Sequence, residues 1–229
     1  EPTGEIFLSQ LSTLGPMARS PKDLAMLLDV QADRIENESF ISSAKTFNNF
    51  TEEPIMKGIK VGWLGDWSGT LPFEDGLLDL SQEALNEMSS LGALIHDLKA
   101  PFEMNDIWTS WSDLRAWQIS NGLSTIYEDL EMRQYLKPEA VWEIECGLSL
   151  SGQDIYKSAL KKSKWYNSAS QLFEKFDLLV LPSTQVWPFD LAEIYPVSIN
   201  SQDMDTYHRW MQVTIPAGLL GLPVVNIPI

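Results

Sequence analysis

Cysteine occurs once in this 229-residue sequence, as Cys146, and histidine only twice, as His96 and His208. A single cysteine excludes an internal disulfide and fits a reducing compartment. There is no H-x-x-x-H and no C-x-x-C, so the familiar zinc spacings are missing. A G-x-S-x-G elbow and a glycine-rich phosphate loop are missing as well. Basic residues are scarce: 16 Lys and Arg face 32 Asp and Glu, a formal charge of -16. Such a surface repels nucleic acid and anionic lipid, and neither is expected as a partner. The longest apolar stretches, around Leu178 to Leu181 and Gly218 to Val225, fall far short of the ~20 residues that span a bilayer. No cationic leader precedes an apolar run at Glu1, and a cytoplasmic location is the expectation.

What is present suits a globular protein. Hydrophobic residues are 44% of the chain and charged residues 21%, enough at this length for a core without staples, expected as a single domain over 1–229. Glu1 to Leu14 is irregular. Ser20-Pro21-Lys22-Asp23 then signals a helix start, with Ser20 as cap, Pro21 in the first turn and Asp23 closing an S-x-x-D box. Leu24, Leu27 and Leu28 follow at helical spacing and predict one buried face. Asn37 to Pro54 is polar and reads as a loop. Ile59, Val61 and Trp63 alternate as in a strand; Leu77, Ala84, Leu85, Met88 and Leu91 mark an amphipathic helix ended by Gly92; Ala93 to Leu98 reads as another strand. That order predicts a βαβ unit with parallel pairing.

Further on, Asp106 to Lys137 reads as helical, with Ile107, Trp111 and Leu114 on one stripe. Ser151 and Asp154 form a second capping box, opening a long helix to about Phe176. Phe176 to Leu181 is a continuous apolar run ending at Pro182, the pattern of a strand buried on both faces. The tail is punctuated by Pro216, Gly218, Gly221 and Pro223 and predicts a final short strand at Val224 to Ile227. The fold class is α/β.

Chemistry is hard to find in these residues. His96 sits in a predicted strand and His208 in a polar stretch; both read as structural or solvated. Cys146 reads as a small hydrophobe, since no cation or base adjoins it in sequence. Glu52-Glu53 and Glu74-Asp75 read as solvated charge rather than a glycosidase pair. Tryptophan is enriched, with nine in all; Trp108, Trp111 and Trp117 suit core packing, or an aromatic wall along an apolar channel.

Three ordered segments resemble the amidase-signature family. They are Gly15-Pro16-Met17-Ala18-Arg19-Ser20-Pro21-Lys22-Asp23-Leu24-Ala25, Phe176-Asp177-Leu178-Leu179-Val180-Leu181-Pro182-Ser183-Thr184, and Gly218-Leu219-Leu220-Gly221-Leu222-Pro223-Val224-Val225-Asn226-Ile227-Pro228. The resemblance implies a largely parallel mixed sheet flanked by helices, and hydrolysis of linear amides through a serine nucleophile activated by a second serine and a lysine. In the family those residues precede the G-P-M-A-R segment, and none of the 14 residues before Gly15 matches them. The expectation is a C-terminal portion of an amidase domain, inactive in isolation, with no catalytic residue of its own. The resemblance implies no cofactor or metal. It places Ser183, Thr184, Gln185 and Trp187 in the wall of a pocket for a small-molecule amide. The alternative is a noncatalytic interaction module that associates through exposed apolar surface, as a homo-oligomer or with another chain.

Overall fold

A computed structural model describes Leu11 and residues 15–32 and 56–229 of the chain. Two compact units are formed, one of residues 13–55 and one of residues 1–12 with 56–229. The Asn37 to Pro54 stretch and Glu52-Glu53 lie outside the described residues, as does the opening segment apart from Leu11.

In the smaller unit, helix α1 (Pro21–Ala32) begins as its sequence dictates. The Asp23 backbone N–H donates to Ser20 Oγ at 3.1 Å, and the Ser20 hydroxyl donates to Asp23 Oδ2 at 2.9 Å. The buried stripe differs from the leucine spacing. Ala25 is the buried position, Leu24 and Leu28 are half-covered, and Leu27 stands 39% exposed. At about 100° per residue, Leu24, Leu28 and Ala25 share one arc, and Leu27 lies outside it.

The larger unit is built on a parallel sheet. Strands β1 (Lys60–Trp63), β2 (Leu94–Asp97) and β3 (Leu178–Val180) run in the order β2-β1-β3, with Lys60 opposite Leu94 and Val61 opposite Leu178. The β1 to β2 crossover is helix α2 (Leu77–Ser90), so the predicted βαβ unit is present. Gly92 follows with φ at +100°, the left-handed conformation that glycine adopts at a helix end without a Cβ penalty. Alternation sorts the two sheet faces. Val61, Trp63, Ile95 and Val180 pack with Leu85 and Met88 of α2, while Leu98, Leu179 and Leu181 join the main core on the other side.

β3 corrects one expectation: Leu178 is 43% exposed, so the strand is not buried on both faces. It has a partner only on the β1 side among the described residues, and an edge strand keeps apolar composition without full burial.

The other side of the sheet carries α3 (Met104–Gly122), α7 (Gly152–Phe173) and α8 (Ile215–Leu220), with α6 (Pro138–Ser149) packed against α3. α7 opens on the predicted box: Asp154 N–H donates to Ser151 Oγ, and Ser151 N–H donates back to Asp154 Oδ2. The predicted helix from Asp106 to Lys137 is broken instead. α4 (Ser124–Glu128) and α5 (Leu130–Arg133) follow α3 as short pieces: the first break falls at Leu123, and at the second Asp129 turns extended and caps a new start, accepting from Glu131 N–H and Met132 N–H. A hairpin of β4 (Ser198–Ile199) and β5 (Gln202–Asp203) turns through Asn200 and Ser201, both at positive φ. The final strand expected at Val224 to Ile227 is not formed. Residues 223–229 are irregular, and Val224, Val225 and Ile227 are exposed, since strand propensity forms no strand without an edge to pair with.

Candidate functional site

β1, β2 and β3 are parallel, so Trp63, Asp97 and Val180 end at the same edge of the sheet. The chain reaches β2 on one side of β1 and β3 on the other. In open α/β sheets such a reversal is where loops diverge and ligands sit, beyond the carboxyl ends of the strands. The loop leaving β3 carries the four expected wall residues, and the structure separates them.

Gln185 is fully buried. Its Nε2 donates to the Pro72 carbonyl at 2.8 Å, and its Oε1 accepts from Val213 N–H at 2.9 Å. The Gln185 carbonyl accepts in turn from Glu74 N–H at 3.0 Å. One side chain thereby ties the loop after β1, the loop after β3 and the 3-10 helix Arg209–Thr214 together. Trp187 extends the tie: its backbone N–H donates to Glu74 Oε2 at 2.6 Å and its indole N–H to the Asp75 carbonyl at 3.1 Å, with the residue as a whole 44% exposed. Glu74 is therefore not merely solvated charge, as its sequence neighbours suggested. Thr184 is half-buried and uses its hydroxyl locally, on the Val186 carbonyl. Ser183 faces solvent. Of the four, Ser183 and Trp187 present surface, and Gln185 holds the loop in place.

Replacing Gln185 by leucine keeps the volume and orphans the Pro72 carbonyl and the Val213 N–H. A buried group left unpaired costs about 1–3 kcal/mol. The expected result is a lower urea midpoint with an unchanged slope, equivalent to about 2–3 kcal/mol.

A second cluster is assembled from α3, α6 and the segment before the 3-10 helix. Arg115 Nε stands 2.6 Å from Glu143 Oε1 without an aligned N–H, and Nη2 donates to Oε2 over 3.4 Å, so the contact is mainly ionic. His208 Nε2 lies 3.9 Å from Glu143 Oε2. Trp111 and Tyr207 meet the imidazole edge-on at 5.4 and 5.2 Å, and Trp142 covers it at 6.5 Å. His208 is thus a buried, structural histidine, while His96 is exposed beside Phe176. Burial, reinforced by the Arg115 charge, holds the His208 imidazole down at about 4. Burial raises the Glu143 carboxyl above its ordinary value, against the pull of Arg115. Burial also raises the Cys146 thiol, with Glu143 and Glu145 adding to it, which keeps the sulfur protonated and unreactive at neutral pH. No single motif announces this cluster. Only the pairing of buried aromatic and charged positions on α3 and α6 hints at it.

The sign of the pH dependence follows. A histidine that resists protonation in the folded state stabilises fully above its unfolded value of about 6.5, and that contribution is lost as pH falls towards 4. Glu143, raised, acts oppositely, favouring the fold at low pH and losing that contribution as pH rises above 4.5. Stability should fall between pH 6.5 and 4.5 by at most about 1.4 kcal/mol per pH unit from His208. His208→Gln, followed by urea unfolding across that range, should flatten the slope.

Seams between helices use serine differently from a nucleophile. Ser158 donates to Asp113 Oδ2 at 2.6 Å, and Ser110 donates to the Ser158 carbonyl at 2.7 Å, joining α3 to α7. Among the described residues no group of three His, Cys, Asp or Glu is arranged to hold a metal ion.

The sequence profile of the family described as Amidase matches residues 6–229. The chain belongs to the amidase family. Among curated relatives, it is 26% identical to a glutamyl-tRNA(Gln) amidotransferase subunit of Pediococcus pentosaceus, over 97% of this chain and 49% of that protein. It is 25% identical to the subunit of the same name from Thermotoga maritima, again over 97% and 49%. In structure it is similar to a bacterial aryl acylamidase of the amidase-signature enzymes, with a TM-score of 0.64 and 20% identity, covering 72% of this chain and 36% of that one. It is also similar to 6-aminohexanoate cyclic dimer hydrolase solved with substrate, with a TM-score of 0.69 and 14% identity, covering 89% and 45%. At these identities the structures show the shared fold. The chain spans about half the length of the curated relatives it matches.

On this amidase fold, the family segment Phe176 to Thr184 supplies β3 and the start of the wall loop. The segment from Gly218 supplies the end of α8 and the exposed tail. The motif around β3 thus fixes the sheet edge from which the wall loop departs.

Proposed function

We propose that this chain serves a carbon–nitrogen hydrolase of linear amides, as scaffold and pocket wall within the C-terminal part of one amidase domain. The nucleophile, its serine partner and the lysine base lie outside these 229 residues, and the amide is cleaved through an acyl-enzyme. The single observation that carries this reading is the family match across residues 6–229, with Ser183 and Trp187 presented on a loop pinned by Gln185. Ser183 and Trp187 face the substrate, Thr184 and Gln185 shape the loop behind them, and no cofactor takes part. The acidic surface favours neither nucleic acid nor anionic membrane, no described helix is long and apolar enough to cross a bilayer, and a cytoplasmic location is proposed with it.

The isolated chain, assayed with simple aliphatic and aryl amides, should release no amine or ammonia above buffer. Turnover that a single substitution within this chain abolishes would overturn the proposal.

A second reading, an interaction module, is favoured by exposed apolar side chains. Leu191 is fully exposed, and Ile194, Val197, Val225 and Ile227 are each more than 60% exposed. The curated relatives carry the name of a subunit, in keeping with a partner chain. A clean monomer by light scattering across a wide concentration range would count against self-association through this surface.

A further inference from the structure

Residues 208–213 join the α3–α6 seam to the wall loop, and their side chains divide between the two. His208 is buried against Trp111 of α3 and Trp142 of α6, and the Arg209 guanidinium lies 3.7 Å over the Trp108 ring of α3. Trp210 packs instead on the cluster of Val186, Ile199 and Met204, and meets Phe189 edge-on at 5.5 Å. Val213 N–H closes on Gln185 Oε1 at 2.9 Å. The backbone links these contacts. Met211 N–H donates to the His208 carbonyl at 3.2 Å, where the 3-10 helix Arg209–Thr214 begins. The helix is kinked at Met211, but Trp210 precedes the kink, so a displacement of His208 reaches the loop without crossing it.

The aromatic box suits a neutral imidazole. Arg115 from α3 and Glu143 from α6 face it, paired with each other at 2.6 Å, and Glu143 Oε2 stays 3.9 Å from His208 Nε2, beyond hydrogen-bond reach. On the strap itself, Asp205 and Arg209 pair at 2.7 Å, and Tyr207 meets the imidazole edge-on. A proton on His208 adds a buried positive charge that Glu143, already engaged by Arg115, does not offset. Acid therefore drives the imidazole out, and the start of the 3-10 helix moves with it. Burial and the Arg115 charge, which hold the imidazole down at about 4, agree with this geometry.

We propose that residues 208–213 are an acid-sensitive strap through which His208, seated between α3 and α6, positions the wall loop. Native-state amide exchange, followed by NMR on the full 229-residue chain, tests it. Release of a histidine held neutral admits one proton, so opening of the strap grows by up to about tenfold per pH unit as pH falls below about 6.5. The Val213 and Trp187 amides should each lose at least about fivefold in protection between pH 6.5 and pH 5. Both should exchange faster than Val61 of β1, through an opening that dilute urea does not accelerate. In His208→Gln the acid-dependent loss should vanish. His208→Lys, which places a charge in the box without acid, should show low Val213 and Trp187 protection already at neutral pH. A loss that persists in His208→Gln would assign it to carboxylates and overturn the proposal. So would Val213 and Val61 exchanging together at each pH, since opening would then be global, or an unchanged Trp187 beside a freed Val213. The measurement reads the loop itself, so it succeeds or fails separately from the assignment of an amide to that loop.

Discussion

Gly147→Ala should destabilise the protein by about 3 kcal/mol or more, although alanine in a helix interior ordinarily gains about 0.5–1 kcal/mol over glycine. Gly147 lies within α6 and is buried against α3. A Cβ there would overlap the Ala116 carbonyl oxygen and come within 2.6 Å of the Ala116 carbonyl carbon and 2.7 Å of Ser120 Oγ. Two of the three obstacles are backbone, which cannot swing aside, so the helices must separate. The Arg115–Glu143 pair bridges the same two helices and would be strained with them. Gly218→Ala supplies the control. Gly218 is within α8, and an added Cβ meets nothing within 4 Å. Thermal or urea unfolding should show the two substitutions shifting stability in opposite directions. A neutral Gly147→Ala would mean that α3 and α6 do not approach this closely.

Trp165→Ala has an effect of similar size, about 3–5 kcal/mol, from a different cause. Trp165 is 1% exposed and stands at the centre of the main core, edge-on to Trp67 at 5.6 Å and 6.0 Å from Phe102. Its indole N–H donates to the Pro216 carbonyl at 2.9 Å, which fastens α7 to α8. Truncation removes a large apolar volume, leaves a cavity and orphans that carbonyl. Trp165→Phe separates these contributions. It keeps most of the ring volume, and its cost should be nearer ~1–2 kcal/mol, the share of the lost hydrogen bond and a smaller void. If alanine and phenylalanine cost the same, the hydrogen bond rather than the packing dominates. Because α8 continues from the 3-10 helix that holds Gln185, Trp165→Ala should also loosen the wall loop, seen as faster amide exchange at Val213.

Much of the fold was legible from local pattern. Both capping boxes, the period-2 alternation of β1, the amphipathic α2 ended by Gly92, and the βαβ unit all depend on residues a few positions apart. The failures also have local causes. Asp129 is a better cap than a helix interior residue, so the predicted helix restarts at Leu130 as α5, while the earlier break at Leu123 separates α3 from α4. Val224 to Ile227 has strand composition and forms no strand, because a strand is made by its neighbour as much as by its residues.

For the site, the family segments located the loop but not the division of labour within it. Gln185 and Trp187 look alike as loop residues after a strand. One is sealed by Pro72, 113 residues away, and by Val213, while the other stays exposed.

By itself, then, the sequence determined the α/β class, the helix starts, the parallel pairing and the family. These rest on spacings of a few residues and on short motifs that hold their meaning in isolation. The tertiary structure alone decided that Gly147 must lack a side chain, that His208 is dry beside Glu143 and Arg115, and that Gln185 braces the wall loop. The reason is that burial and pairing of a polar group depend on which distant backbone arrives beside it, and no local period encodes that arrival.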